Sequence, residues 1–532
     1  MLKFLSPEPE VILTNAFARP FDNAVATART CYSGAGIVTE EKVVPSAGGE
    51  EARRKKEDAR DRLAQHLYKA GHHTTLQHGT FQFSLANVSR HFIWSFLHSH
   101  PFYNSEQVSQ RYVTVKEGSY AVPPLSGEAL SVYHDTVAHL EGAYRRLCET
   151  LIPLVSSEYF GRFPARGRRP EPWRKEVQKK AQETARYVLP VATFAYLYHT
   201  VSGLTLLRYW RTCGQFDTPL EQRLVVQKMV ERLLEHDPAY RAILEEPIPE
   251  EDTTEFRFLS ASTSAANGNG EGRRRDFVRG FDAKLAGRTS VMVGWPEENE
   301  AILAEAVREV FGLTNDRLAD GDAIALAMDP SRNSYLGETL NTTTHSKLTR
   351  ALFHPHYTFR KRLSHTADSQ NQRHRMTPGS RPILATHLTD EPDFVMPPLV
   401  AQDEAARGVY LEAMERAWAG IGRLRSLGVS DETAHYLLPN AVAIRFTEST
   451  DLLNLRHKLA MRLCYNAQEE IWRASLDEAM QIREVNPRIG AFLLPPCTLR
   501  LIAKTTPVCP EGQRYCGERV WTYQLEDYRR LI

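Results

Sequence analysis

The chain has 532 residues, more than one ordinary core holds, so two or more domains are expected. Its 42% hydrophobic and 25% charged residues describe a soluble globular protein. With 66 lysines and arginines against 65 acidic residues, no global basic field attracts nucleic acid or a membrane, so an anionic ligand must be held by locally placed arginines.

Met1 to Glu10 has prolines and acids where a signal peptide needs an apolar core. Val11-Ile-Leu is a short β-branched run, and the alanine-rich Asn23 to Arg29 reads as a helix. Gly48 to Arg62 is charged but free of breakers after Gly49; it starts a helix that turns apolar at Leu63, Leu67 and Ala70. His78-Gly-Thr-Phe-Gln-Phe-Ser-Leu alternates with period two, as a half-buried strand does. A polar motif region follows, then a helical region entered through Ala185-Arg-Tyr-Val-Leu-Pro190. Ser260 to Arg275 loses periodicity and reads as a linker. Beyond it the same order returns: Ser290-Val-Met-Val, the helix Ala301 to Arg308, His354-Pro-His-Tyr-Thr-Phe-Arg-Lys, a polar region, and Ala434-His-Tyr-Leu-Leu-Pro439. The shared order predicts an internal repeat, with one copy over 1–255, a linker over 256–280 and a second copy over 281–532. Two unrelated α/β domains are the alternative. No run of about 18 apolar residues occurs, so no membrane span is expected. Seven cysteines in a chain of this size suit a reducing cytoplasm better than a disulfide framework.

The first half carries Gly71-His-His-Thr-Thr-Leu-Gln-His78, a strand, a helix from Ser89, and then Ser105-Glu-Gln-Val-Ser-Gln-Arg-Tyr112. Together with Ala28-Arg-Thr-Cys-Tyr-Ser33, Arg186-x-x-Leu-Pro190 and Thr200-Val-Ser, these resemble the flavin-dependent thymidylate synthases over most of residues 1–225. Three places depart from that family. Ser99-His100-Pro101 stands where Arg-His-Arg is expected, Ser202 replaces an asparagine, and Thr212 and Cys213 fall where a Leu-Arg pair touches substrate. The second half resembles the family where the first does not. Gln370-Asn-Gln-Arg373-His374-Arg375 matches Gln-x-x-Arg-His-Arg, and Met461-Arg462 with Ala467-Gln468-Glu-Glu-Ile471 matches the late Leu-Arg…Ala-Gln-x-Glu-Ile. Its own losses are the loop after Arg375, shortened to Met-Thr-Pro-Gly-Ser380-Arg381, and His435 in place of the arginine before Leu-Pro.

The resemblance implies an α+β fold in each repeat, helices packed on a small, mainly antiparallel sheet. It implies FAD-dependent methylation of dUMP to dTMP, with methylenetetrahydrofolate as carbon donor and NADPH as reductant. The hard chemistry then belongs to the cofactors, and the protein positions them and tunes their charge. Substrate binding falls to Gln107, Ser109, Gln110, Arg111, Arg186, Gln370, Arg373 and Arg462. Guanidinium forks with a hydroxyl donor suit a nucleotide phosphate. Arg462 is the catalytic candidate, facing the pyrimidine oxygen where negative charge develops. His78, Arg373, His374 and Arg375 fall to the flavin, with His354 the second-repeat counterpart of His78. Because the two copies have lost different parts, they imply composite sites built from both repeats, and a homodimer that mimics the family tetramer. The plain alternatives are a surface ion pair for Arg111, an exposed helix arginine for Arg462, a solvated face for the triplet and structural roles for the histidines. A non-catalytic flavin- or nucleotide-binding homologue, and a flavin enzyme acting on another pyrimidine nucleotide, are the alternative functions.

Two further motifs are weaker. Leu493-Leu-Pro-Pro-Cys497 resembles the nucleophile segment of the folate-only thymidylate synthases, but Thr498 stands where that family has histidine. Cys497, Cys509 and Cys516 share one stretch whose Cys-Pro-Glu-Gly and Cys-Gly sequences suit a zinc knuckle. Three cysteines without a Cys-x-x-Cys lack a fourth ligand, so buried thiols are the expectation and no metal is assigned. Asn267-Gly-Asn-Gly-Glu-Gly follows no strand and is not a dinucleotide fingerprint.

Overall fold

Alternating runs become strands and alanine-rich runs become helices, twice over, in the computed structural model, which describes residues 3–99, 102–215, 218–265, 270–338 and 342–532. The first repeat contains β1 (Glu10–Ala16), α1 (Pro20–Thr30), β2 (Thr80–Ser89), α2 (Arg90–His98), β3 (Asn104–Gln107), β4 (Phe194–Ser202), α3 (Gly203–Thr212) and α4 (Leu220–His236). The second contains β5 (Ser290–Gly294), α5 (Asn299–Phe311), β6 (His356–Ser364), α6 (His365–Asn371), β7 (Gly379–Ser380), β8 (Ala443–Asp451), α7 (Leu452–Arg462) and α8 (Glu469–Val485). Each set forms one antiparallel sheet, ordered β1-β2-β4-β3 and β5-β6-β8-β7. The same elements in the same strand order give both repeats the expected α+β architecture. The charged stretch after Gly49 opens the helix Glu50–Lys69. The segment read as a linker holds the helices Thr254–Ala265 and Gly270–Leu285 on either side of 266–269, which lie outside the described residues.

Four strands pass straight into helices, and a capping side chain marks each junction. Ser89, Ser202, Ser364 and Asp451 are extended and accept from the backbone N–H of Phe92, Thr205, Ala367 and Asn454. Each satisfies a donor that the first helical turn leaves unpaired. A buried glutamate grips two of these caps. Glu221 accepts from the Ser89 N–H at 2.7 Å and from its hydroxyl; Glu470 accepts from the Ser364 N–H at 2.5 Å and its hydroxyl at 2.6 Å. A tyrosine hydroxyl completes each cluster, Tyr436 donating to Glu221 at 3.0 Å and Tyr187 to Glu470 at 2.6 Å. These are the tyrosines of the two Leu-Pro segments.

Contacts divide the chain into two units. One comprises Met1–Val137, Pro190–Gly270 and Gly420–Leu438; the other comprises Ala138–Leu189, Glu271–Ala419 and Pro439–Ile532. Each unit therefore takes in the residues leading up to a Leu-Pro proline of the opposite repeat, which is why Tyr436 caps a first-repeat cluster and Tyr187 a second-repeat one. The core of the first unit is apolar, with Phe21, Phe81, Phe83, Phe92 and Phe96 fully buried. In the second unit the helix that follows the same strand junction, α6, is polar and buries His365, Thr366, Asp368 and Asn371. Lys361, Glu448, Lys458 and Glu478 are fully buried in that unit. Lys361 Nζ is 2.5 Å from both carboxylates, and Lys458 touches Glu448 and lies 3.5 Å from Glu478. Two positive and two negative charges balance.

Burial pushes the Glu221 carboxyl up to about 7, against the hydrogen bonds from Ser89 and Tyr436, which favour its carboxylate. An unfolded glutamate titrates near pH 4.3, so the folded chain holds this proton more tightly. The resulting stability is complete below about pH 4.3 and lost as the pH rises to about 7, a change on the order of 3 kcal/mol. Glu221→Gln removes that slope. Thermal melts between pH 5 and pH 8 should show the variant gaining on the parent as the pH rises; parallel curves would mean that Glu221 does not titrate in this range.

Candidate active site

The polar motif of the second repeat sits where α6 ends and turns. Arg462, the last residue of α7, donates from Nε to His374 Nε2 at 2.8 Å and from Nη2 to the Gln370 carbonyl at 3.0 Å. The Gln370 side-chain oxygen accepts from the Gln468 N–H at 3.4 Å, and the Gln468 amide donates to the Tyr187 hydroxyl at 2.5 Å. Tyr187 leads on to Glu470 and Ser364. Three residues singled out in the sequence, Gln370, His374 and Arg462, thus share one network. Burial, and then the charges of Arg462 and Lys458, hold the His374 imidazole well below its usual range. A neutral ring that accepts at Nε2 carries its proton on Nδ1. Arg373 is exposed and Arg375 partly exposed on either side of it.

Arg186 lies in the same unit, buried just after the helix Arg174–Ala185 and beside Tyr187. Its Nε donates to the Glu183 carbonyl at 3.1 Å, and its own carbonyl accepts from Asn440 at 3.0 Å. The Ser380-Arg381 pair at the end of β7 is used differently. Arg381 binds Asp368 through two nitrogens, at 2.7 and 3.2 Å, and lies 4.1 Å from the centre of the Phe446 ring. Asp368 is fully buried, so this arginine is committed to the interior.

In the first unit the chain turns just after β3. Ser109 Oγ accepts from the Arg111 N–H at 3.2 Å, and its carbonyl from Tyr112 and Val113 at 3.2 and 3.1 Å. The Arg111 guanidinium stands 5.4 Å from the Tyr112 ring centre. Gln107 accepts from Arg90 at 3.0 Å, and Gln110 is buried. Ser109 and Arg111 are therefore presented together on one turn. His78 is exposed at the end of the 3-10 turn Thr75–Gln77. It precedes the Thr80–Ser202 pair at one end of β4, whereas Ser109 follows the bond from Val108 to Tyr196. Six residue steps along β4 from Ser202 to Tyr196 put His78 roughly 20 Å from Ser109. Of Ser99-His100-Pro101, His100 and Pro101 lie outside the described residues. The helix before that segment, α2, buries Phe92, Ile93, Trp94, Phe96 and Leu97. Ser202, read as a lost asparagine, is the cap of α3.

The sequence reading passed over Tyr187, Asp368 and the buried charges. A cavity of about 630 Å³ in the second unit is lined by Arg162, Arg473, Arg529 and Arg530 among others, and by none of the residues assigned to substrate or flavin from the sequence.

Comparison with known proteins bears directly on these motifs. Residues 13–239 and, separately, 293–488 match the family described as thymidylate synthase complementing protein. The flavin-dependent thymidylate synthase of Clostridium tetani is 27% identical over 209 residues, covering 39% of this chain and 70% of that protein. The enzyme of the same name from Geobacter sulfurreducens is 29% identical over 170 residues, covering 31% and 70%. Among solved structures, the UMP/dUMP methylase PolB of Streptomyces cacaoi, bound with 5-Br dUMP, aligns with 44% of this chain and 94% of its own at 18% identity and a TM-score of 0.30. The two family matches together span most of the sequence and coincide with the two repeats, and the chain belongs to the flavin-dependent thymidylate synthase family as a tandem duplication.

Proposed function

We propose that the chain catalyses the reductive methylation of dUMP to dTMP, with FAD as cofactor and methylenetetrahydrofolate and NADPH as co-substrates. The observation that carries this reading is the fixed orientation of Arg462, held by a neutral His374 and the Gln370 carbonyl. An uncharged imidazole accepts from the guanidinium without repelling it. Arg462 can then meet negative charge on the pyrimidine oxygen at no reorganisation cost. Arg373 and Arg375 flank His374, and two permanent charges beside a ring N–H donor suit a flavin with anionic phosphates. When bound, the flavin supplies hydride. Ser109 and Arg111 take the dUMP phosphate. In the second repeat, the arginine of the corresponding Ser380-Arg381 pair is committed to Asp368.

The complementary losses lead us to assign composite sites drawing on both repeats, in a homodimer. The first test is the visible spectrum of the purified protein, followed by anaerobic NADPH oxidation with and without dUMP, then folate-dependent dTMP formation. Flavin whose reduction responds to dUMP is the expected result; a colourless protein that takes up no added FAD would sink the proposal.

Two arginine variants separate binding from folding. Arg111→Ala should raise the KM for dUMP about 10- to 100-fold, the worth of a charged hydrogen bond, with kcat and melting temperature little changed. Arg381→Ala should do the opposite, leaving KM alone and costing about 3–5 kcal/mol of stability by stranding a buried carboxylate. Steady-state kinetics and thermal melts read both, and a KM effect confined to Arg381→Ala would exchange the two roles.

A further inference from the structure

The three C-terminal cysteines lacked a fourth partner in the sequence; the fold supplies one. Cys464, two residues after Arg462, lines the same small cavity as Cys497, Cys509 and Cys516. The other three cysteines, Cys31, Cys148 and Cys213, do not line it. We propose that Cys464, Cys497, Cys509 and Cys516 bind one zinc ion as a tetrahedral tetrathiolate.

The cavity measures about 20 Å³, room for one atom-sized guest. Its four thiols are partly buried and reach it from three places in the chain: the turn after α7, the start of the helix Pro496–Ile502, and the tail. The tail has the turns a knuckle needs. Gly512, three residues after Cys509, and Gly517, directly after Cys516, both have positive φ, at 55° and 92°. Glycine takes that conformation without strain. Cys516 Sγ donates to the Glu518 carbonyl at 3.6 Å. The Asn466 side chain also donates to the Arg514 carbonyl at 2.6 Å, fastening the first turn to the tail.

Four thiols around one small cavity are the donor set of a structural zinc site, and a divalent cation stabilises each thiolate that it binds. On binding, four S–H bonds release their protons to solvent and four Zn–S bonds of about 2.3 Å form; nothing is oxidised or reduced. Among the described residues no three or more His, Cys, Asp or Glu side chains already stand at ligand spacing. Binding therefore requires the four side chains to close on the ion. Bound there, zinc ties the tail to the turn between α7 and α8.

The full-length chain, purified without chelator, is tested by elemental analysis and native mass spectrometry. One zinc per chain is expected. After stripping, cobalt(II) should give the intense near-ultraviolet thiolate bands and the visible bands of a tetrahedral site. Cys464→Ser and Cys516→Ser should each lower retained zinc at least ten-fold, and Cys31→Ser and Cys148→Ser should leave it unchanged. If the first pair fails to fold, the parent chain still decides: stripping should expose four additional thiols to a disulfide reagent. Less than a tenth of a zinc per chain after zinc exposure, no cobalt bands, disulfides within the cluster, or full zinc retained by Cys464→Ser would overturn the assignment.

Discussion

Replacing Arg462 by alanine should lower kcat for dTMP formation by about 10²–10³-fold, the loss expected when a preorganised donor at a developing negative charge is removed. The KM for dUMP should move much less, because the phosphate is assigned to Ser109 and Arg111. Arg462→Lys should recover little. A lysine keeps the charge but cannot donate to His374 Nε2 and the Gln370 carbonyl with one rigid plane, as Arg462 does at 2.8 and 3.0 Å. His374→Ala should give a smaller loss through a mobile Arg462, and His374→Gln, which preserves an acceptor, should restore part of it. Because His374 is held neutral far below its usual range, the pH profile of kcat should have no inflection near 6.5 from this residue. Single-turnover flavin oxidation with dUMP and methylenetetrahydrofolate isolates the step. Turnover of Arg462→Ala within about threefold of the parent would remove Arg462 from the chemistry.

The repeat was legible because it rests on local pattern. The β-branched runs at Val11 and Ser290 and the period-two runs beginning at His78 and His354 all lead into strands, and the alanine-rich runs before Arg29 and Arg308 are helices. The motif residues Gln370, His374 and Arg462 could be picked out one by one, but their hydrogen bonds could not, since α6 and α7 lie about 90 residues apart. The reading of 260–275 as a linker followed composition, and composition did not disclose the helices Thr254–Ala265 and Gly270–Leu285. Cys464 was missed for the same reason as the α6–α7 contacts: the turn that carries it is remote in sequence from the tail it faces. One signal was present and unused. Tyr357, Phe359, Lys361 and Leu363 share strand parity, as do Phe446, Glu448 and Thr450, so the alternation of β6 and β8 already directs a lysine and a glutamate inwards.

That inward pair supplies the largest expected effect on stability. Glu448 accepts from Lys361 at 2.5 Å, from Asn371 at 2.6 Å, and from Lys458, with no exposure to water. Burial alone would raise its pKa, but Lys361 and Lys458 outweigh burial and hold the carboxyl below the usual carboxylate range. Glu448→Gln keeps the shape and removes the charge, leaving two buried ammonium groups facing Glu478 alone. A loss of about 3–5 kcal/mol is expected, because breaking a buried pair strands the remaining charge. Glu448→Gln combined with Lys458→Met should regain part of this, since it restores the balance of one positive and one negative charge. The pH dependence has a fixed sign. With the folded pKa depressed, the contribution of Glu448 is complete above the unfolded value near 4.3 and is lost as the pH falls towards the folded one. Acid unfolding of the parent should therefore be steep below pH 4, and Glu448→Gln should flatten it. Asn371 joins Glu448 to the end of α6, so amide exchange in the variant should quicken first in the turn that carries Arg373, His374 and Arg375. A variant as stable as the parent at pH 7, with unchanged exchange in that turn, would mean that the four charges do not hold this unit together.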